Sequence, residues 1–167
     1  MKLRNMTRCG VLAAVLAVCA WLSVPLGDQA VSLQSFGVFL ALGLLGGRDG
    51  TVTVLVYLLL GAAGVPVFSG FRGGFSVLLG PTGGYLWGFL GACVLYWVLE
   101  KRLKPWLNMV LGMLLCYACG TAWYYCMFAP GAIGPVLMLC VVPYLLPDAI
   151  KIFFSLTVTQ RLKQFVR

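Results

Sequence analysis

The stretch WLNMVLGMLLCYACGTAWYYCM, Trp106 to Met127, decides the class of fold. It holds no charged side chain, and at about 1.5 Å per residue a helix of this length crosses the ~30 Å hydrocarbon core of a bilayer. On one side lies the charged turn Glu100-Lys101-Arg102-Leu103-Lys104-Pro105; on the other Ala129-Pro130-Gly131 breaks the chain. The same alternation of apolar run and polar break recurs throughout. Spans are read at 9–26, 31–46, 51–67, 83–99, 106–127 and 147–166. An outer glycine-rich loop covers 69–84. The segment 133–146 is apolar but short and interrupted by Pro135 and Pro143, so it reads as re-entrant or interfacial. Pro147 fits the first turn of the last helix, where a missing N–H costs nothing. The expectation is an all-α integral membrane protein: one membrane domain over residues 1–167, built as a six-transmembrane-helix bundle.

Composition agrees. Hydrophobic residues make up 62% of the chain and charged residues 10%, against roughly 25% charged in soluble domains. A chain this small has too much surface to hide that apolar content from water. The net charge of +8 suggests a nucleic-acid partner until the basic residues are placed. With the N-terminus inside, Lys2, Arg4, Arg8, Arg48, Lys101, Arg102, Lys104, Arg161, Lys163 and Arg167 all fall on the cytoplasmic side. Only Arg72 and Lys151 lie toward the outside. This is the positive-inside pattern, with both termini cytoplasmic, and it leaves no nucleic-acid footprint. The N-terminal run resembles a signal peptide, with Ser23-Val24-Pro25 behind it, but Cys9 to Leu26 is long enough to span and reads as a retained first helix.

The polar residues that survive in so apolar a chain are the informative ones. Asp148 and Lys151 are spaced i, i+3 and share one face of the last helix. Ionisable groups at membrane depth are expensive and point to function. The plainer alternative is a helix cap and a snorkelling lysine that satisfy each other. The second feature is the run from Gly70-Phe71-Arg72-Gly73-Gly74 to Gly80-Pro81-Thr82-Gly83-Gly84-Tyr85. Its glycines, Gly83 and Gly84 among them, allow close backbone approach to a ligand, and Arg72, Thr82 and Tyr85 add polar groups. No Lys-Ser or Lys-Thr follows the glycines, so this is not a phosphate loop. With no histidine, the usual Ser–His and Cys–His nucleophile pairs and a common zinc set are excluded. The seven cysteines read as small packing residues. Gly80, Gly84, Gly88 and Ala92 form a small-residue stripe for close helix packing. Ala13, Ala17 and Ala20 on the first span serve either internal packing or docking of another membrane protein.

Four pieces of the chain together resemble the BioY family. They are Tyr57-Leu58-Leu59-Leu60-Gly61-Ala62-Ala63-Gly64-Val65-Pro66-Val67-Phe68-Ser69-Gly70, Leu79-Gly80-Pro81-Thr82-Gly83-Gly84-Tyr85-Leu86-Trp87-Gly88-Phe89, Pro147-Asp148-Ala149-Ile150-Lys151 and, more weakly, Ser32-Leu33-Gln34-Ser35-Phe36. The members of this family are biotin-specific substrate-binding (S) components of energy-coupling factor (ECF) transporters. The resemblance implies a biotin pocket on the outer side, lined by Asp148, Lys151 and Tyr85 and more loosely by Thr82. It also implies a membrane-embedded coupling protein and two cytoplasmic ATPase subunits as partners, with the alanine face of the first span docking on the coupling protein. It implies no cofactor and no enzymatic activity of the chain itself, and a bacterial cytoplasmic membrane as its place. In two respects the chain departs from the family pattern: Leu146-Pro147 stand where Pro-Gly usually precedes the aspartate, and Arg72 stands where a small or amide residue is frequent. An S component for another vitamin and a non-transporting structural subunit are the rival readings; Arg72 and Lys151 favour an anionic ligand over a cationic one.

Overall fold

The computed structural model describes residues 3–26, 29–128 and 133–165. In chain order these form α1 (Leu3–Trp21), β1 (Ser23–Leu26), β2 (Gln29–Ser32), α2 (Gln34–Ala62), α3 (Phe75–Leu79), α4 (Gly83–Leu99), α5 (Pro105–Met127), α6 (Ile133–Cys140) and α7 (Val142–Phe165). The protein is a helical membrane protein: α1, α2, α5 and the stretch containing α7 are long and apolar enough to cross a bilayer.

The first helix, α1, starts before the expected span 9–26 and ends before it does, at Trp21. Beyond Trp21 the chain pairs as an antiparallel hairpin, with Ser23 opposite Ser32 and Leu26 opposite Gln29. Ser23-Val24-Pro25 is extended, as the restriction a proline places on its predecessor favours. The tip at Asp28 lies outside the described residues, as do the Ala129-Pro130-Gly131 break and the terminal Lys2 and Arg167.

The two spans read at 31–46 and 51–67 correspond to the two arms of α2, which is not one rod and starts only at Gln34, since Val31 and Ser32 belong to β2. Gly46 has φ 82 and ψ 175, a conformation open chiefly to glycine, and the helix doubles back there. A methyl group placed on Gly50 would lie 3.0 Å from the Cα of Leu42, and Gln34 reaches Tyr57 across the two arms at 2.9 Å. In a straight helix those last two residues would be ~35 Å apart. The carboxylate of Glu100 accepts the Gly47 N–H at 2.5 Å, satisfying a donor freed at the start of the second arm. That arm ends at Ala62, short of the expected Val67, because Gly64 turns the chain at φ 100.

The α4–α5 interface is close because its residues are small. Gly84 abuts Trp123, and Gly88 abuts the backbone of Cys116, as the small-residue stripe predicts. The first helix packs its small residues the same way. Ala13, Ala17 and Ala20 are buried, and Gly37 of α2 lets Leu16 and Cys19 approach. Of the two roles open to these alanines, the structure takes internal packing; the docking role expected of them is corrected.

Two further expectations change. The outer loop contains the short helix α3. The last helix starts at Val142, five residues before Pro147, so Pro147 sits inside it and Asp148 lies in its second turn. The stretch 133–146 is therefore α6 plus the opening of α7.

Candidate ligand-binding site

Asp148 and Lys151 face inward from α7, at 3% and 7% exposure. Lys151 Nζ lies 2.8 Å from Asp148 Oδ1. The lysine therefore does not snorkel; it is paired at depth. Two further donors reach the same carboxylate. Ser35 Oγ of α2 donates to Oδ1 at 3.0 Å, and Tyr117 Oη of α5 donates to Oδ2 at 2.7 Å. A buried charge survives only when paired and hydrogen-bonded, and three helices converge to supply this. A carboxylate has about four acceptor positions, so one remains on Oδ2. Lys151 keeps two N–H groups beyond its bond to Asp148.

These residues form the floor of a cavity of about 660 Å³, its open mouth included. Aromatic rings wall it: Phe68, Tyr85, Phe89, Tyr117 and Tyr144. Two of them rest on glycines. A Cβ on Gly61 would run into the Phe68 ring, and a Cβ on Gly120 would run into the Tyr85 ring. These glycines let the rings lie flat against the helices and set the width of the cavity. Tyr85 Oη donates to the carbonyl of Cys140 at 2.6 Å, so Tyr85 offers the cavity its ring face, 6.4 Å from that of Tyr144.

Near the mouth, Gln34 donates to Tyr57 Oη at 2.9 Å, and Tyr57 donates to the Val67 carbonyl at 2.9 Å. Arg72 is exposed at the rim. Its Nε–H donates to the Ser69 carbonyl at 3.1 Å, and it has no carboxylate partner among the described residues.

Of the residues expected from the sequence, Asp148, Lys151, Tyr85, Thr82 and Arg72 all line this one cavity. Gly83 and Gly84 do not. A Cβ on Gly83 would run into the Leu78 carbonyl, and one on Gly84 would run into Trp123; both are packing glycines. Ser35 and Tyr117, which complete the hydrogen bonding of Asp148, were not expected. Ser35 lies in the Ser32–Phe36 run, but nothing in the sequence tied it to a residue 113 positions away.

The chain matches the model of the BioY family over residues 1–167. It belongs to the BioY family. Biotin transporter BioY of Thermotoga maritima is 40% identical over 166 residues, 97% of this chain and 97% of that protein. Probable biotin transporter BioY of Pyrococcus horikoshii is 32% identical over 163 residues, covering 98% of each. Among solved structures, the crystal structure at 2.1 Å of the S-component for biotin from an ECF-type ABC transporter is similar, with a TM-score of 0.87 and 26% identity. The match covers 98% of this chain and 92% of that one. The matches to these two relatives and to this structure each run over nearly the whole of both chains.

Proposed function

We propose that the chain is the biotin-binding S component of an ECF-type importer in a bacterial cytoplasmic membrane. The observation that carries this is the buried Asp148–Lys151 pair at the floor of an aromatic-walled cavity, in a chain of the BioY family. The ureido ring of biotin presents N–H donors beside a carbonyl oxygen. Asp148 Oδ2 has an acceptor position left for such an N–H, and the remaining N–H groups of Lys151 suit the carbonyl. The tail carboxylate belongs elsewhere. Beside Lys151 it would face the Asp148 carboxylate across a shared ammonium, and like charges at that depth repel strongly. Exposed Arg72 at the mouth is the better partner, through charge-assisted hydrogen bonds. The rings of Tyr85 and Tyr144 cover the apolar bicycle between the two ends, and Thr82 lines the entrance.

The helices suit six crossings: α1, the two arms of α2, α4, α5 and α7. Ten of the twelve basic residues then fall on the cytoplasmic side with both termini. A membrane coupling protein and two ATPase subunits complete the importer. Since Ala13, Ala17 and Ala20 are buried, the outward face of α1, with Gly10, Ala14 and Val18 exposed, is what remains for the coupling protein. No cofactor is proposed; biotin is the substrate.

The test is calorimetry on the purified, detergent-solubilised chain with biotin, thiamine and riboflavin. The expected result is selective binding of one biotin per chain. Selective binding of another vitamin would reassign the ligand, and a folded chain that binds none would return the structural-subunit reading.

A further inference from the structure

About fifteen residues beyond Asp148 on α7, roughly 22 Å along the helix, a second hollow opens between α1, the turn side of α2 and the end of α7. With its open side included it measures about 950 Å³. Arg4 and Arg8 of α1 and Lys163 of α7 line it together with Val11, Leu12 and Leu44. None of the three cations has a carboxylate within ion-pair distance among the described residues. The nearby Asp49 carboxylate is engaged by Asn5 at 2.8 Å.

The order of residues along the hollow is informative. Arg4 and Arg8 lie one turn apart on α1, and Val11 and Leu12 continue that face toward the middle of the helix. Lys163 lies at the terminal end of α7, level with the arginines. The hollow is therefore cationic at its outer end and apolar inward. It adjoins the exposed Val11 and Val15 of α1, an apolar surface that meets acyl chains where α1 crosses the bilayer. An acidic protein segment would need charge partners along its length; a phospholipid has its charge at one end and hydrocarbon behind it. We infer that this hollow is a binding site for an anionic phospholipid, with the phosphate held by Arg4, Arg8 and Lys163 and an acyl chain lying along Val11, Leu12 and Leu44. Basic pockets between membrane helices hold anionic headgroups by this chemistry, and arginine suits phosphate through bidentate hydrogen bonds.

The test uses the full chain in detergent. Phosphatidylglycerol, phosphatidylcholine with the same chains, and glycerol 3-phosphate are each titrated. Bound lipid is read by native mass spectrometry and stabilisation by thermal denaturation. Phosphatidylglycerol is expected to be retained at one per chain, at least fivefold more tightly than phosphatidylcholine, with glycerol 3-phosphate giving no stabilisation. The combined Arg4→Gln, Arg8→Gln and Lys163→Gln variant, whose changed side chains lie at the helix ends, is expected to keep its circular dichroism spectrum and bring the two lipids within twofold. Leu12→Trp, which fills the hollow and keeps every charge, is expected to weaken phosphatidylglycerol as well. Equal retention of both lipids by the unaltered chain would overturn the site and leave an acidic partner segment as its occupant. Stabilisation by glycerol 3-phosphate equal to that by phosphatidylglycerol would overturn the lipid assignment in favour of a free phosphate. Full preference in Leu12→Trp would reduce the effect to surface charge and overturn the hollow as the site.

Discussion

The floor and the mouth of the cavity are built by different means. At the floor, side chains from three helices meet on one carboxylate: Ser35 from α2, Tyr117 from α5 and Lys151 from α7 itself. At the mouth, geometry comes from the backbone. Gly70 and Phe71 adopt left-handed conformations at φ 71 and φ 56, and Phe68 and Arg72 pair as an isolated bridge. For Phe71 that conformation costs on the order of 1 kcal/mol. It is offset where the ring stacks on Trp21 at 5.0 Å, while Trp21 Nε1 donates to the Pro66 carbonyl at 2.8 Å. The mouth is thus a turn pinned to the end of α1. A floor whose members fix one another discriminates among ligands; an exposed mouth attracts charge and contributes little else.

The floor is where substitutions should cost most. Lys151→Met leaves the Asp148 carboxylate buried without its counter-charge. Removing one partner of such a pair costs about 3–5 kcal/mol, so the expected result is a marked drop in thermal stability together with loss of biotin binding, read by denaturation and calorimetry. Unchanged stability would mean that water reaches the pair. Asp148→Asn keeps the shape and loses the charge. Biotin affinity is expected to fall tenfold or more; an unchanged affinity would remove Asp148 from the ligand's contacts. Tyr117→Phe takes away one of three donors while the carboxylate keeps the other two. A hydrogen bond of net worth about 0.5–1.5 kcal/mol predicts a roughly two- to tenfold loss in the same titration. A loss as large as that of Asp148→Asn would show that Tyr117 touches the ligand directly.

The difference between the regions also governs what the sequence discloses. Asp148 and Lys151 stand out because charge is rare in an apolar chain and i, i+3 spacing places both on one helix face. The helical membrane class follows from uncharged runs long enough to cross a bilayer, and the close α4–α5 packing follows from the Gly84-Gly88-Ala92 repeat. Ser35 and Tyr117 were hidden, because a hydroxyl inside an apolar helix looks the same whether it faces a carboxylate or a neighbouring backbone. The alanines of α1 misled for a related reason. Small residues permit close approach to any helix, and only the fold shows that α2 is the one that takes them. Gly83 and Gly84 misled in the same way: glycine permits approach, and the partner proved to be the chain itself. Pro147 fell inside α7 because the chain is already helical from Val142, and the one backbone bond that Pro147 cannot make is to the Pro143 carbonyl in the first turn.

The mouth gives the smallest effect and the sharpest check on this division. Arg72 is exposed, so an ion pair between its guanidinium and the biotin carboxylate gains about 0–1 kcal/mol, and Arg72→Gln is expected to weaken biotin by no more than about fivefold. Its signature is salt dependence, because the Debye length shrinks from ~10 Å at 0.1 M to ~3 Å at 1 M. Affinity of the unaltered chain should fall across that range, while that of Arg72→Gln should stay nearly flat. Biotin methyl ester, which has no carboxylate, should bind both chains alike. If instead Arg72→Gln loses as much as Asp148→Asn, and loses it equally for the ester, then the arginine acts on the shape of the turn between Phe68 and Arg72 and not on the ligand's charge. The mouth would then belong with the floor as a structural determinant of binding, held in part through the Nε–H bond from Arg72 to the Ser69 carbonyl.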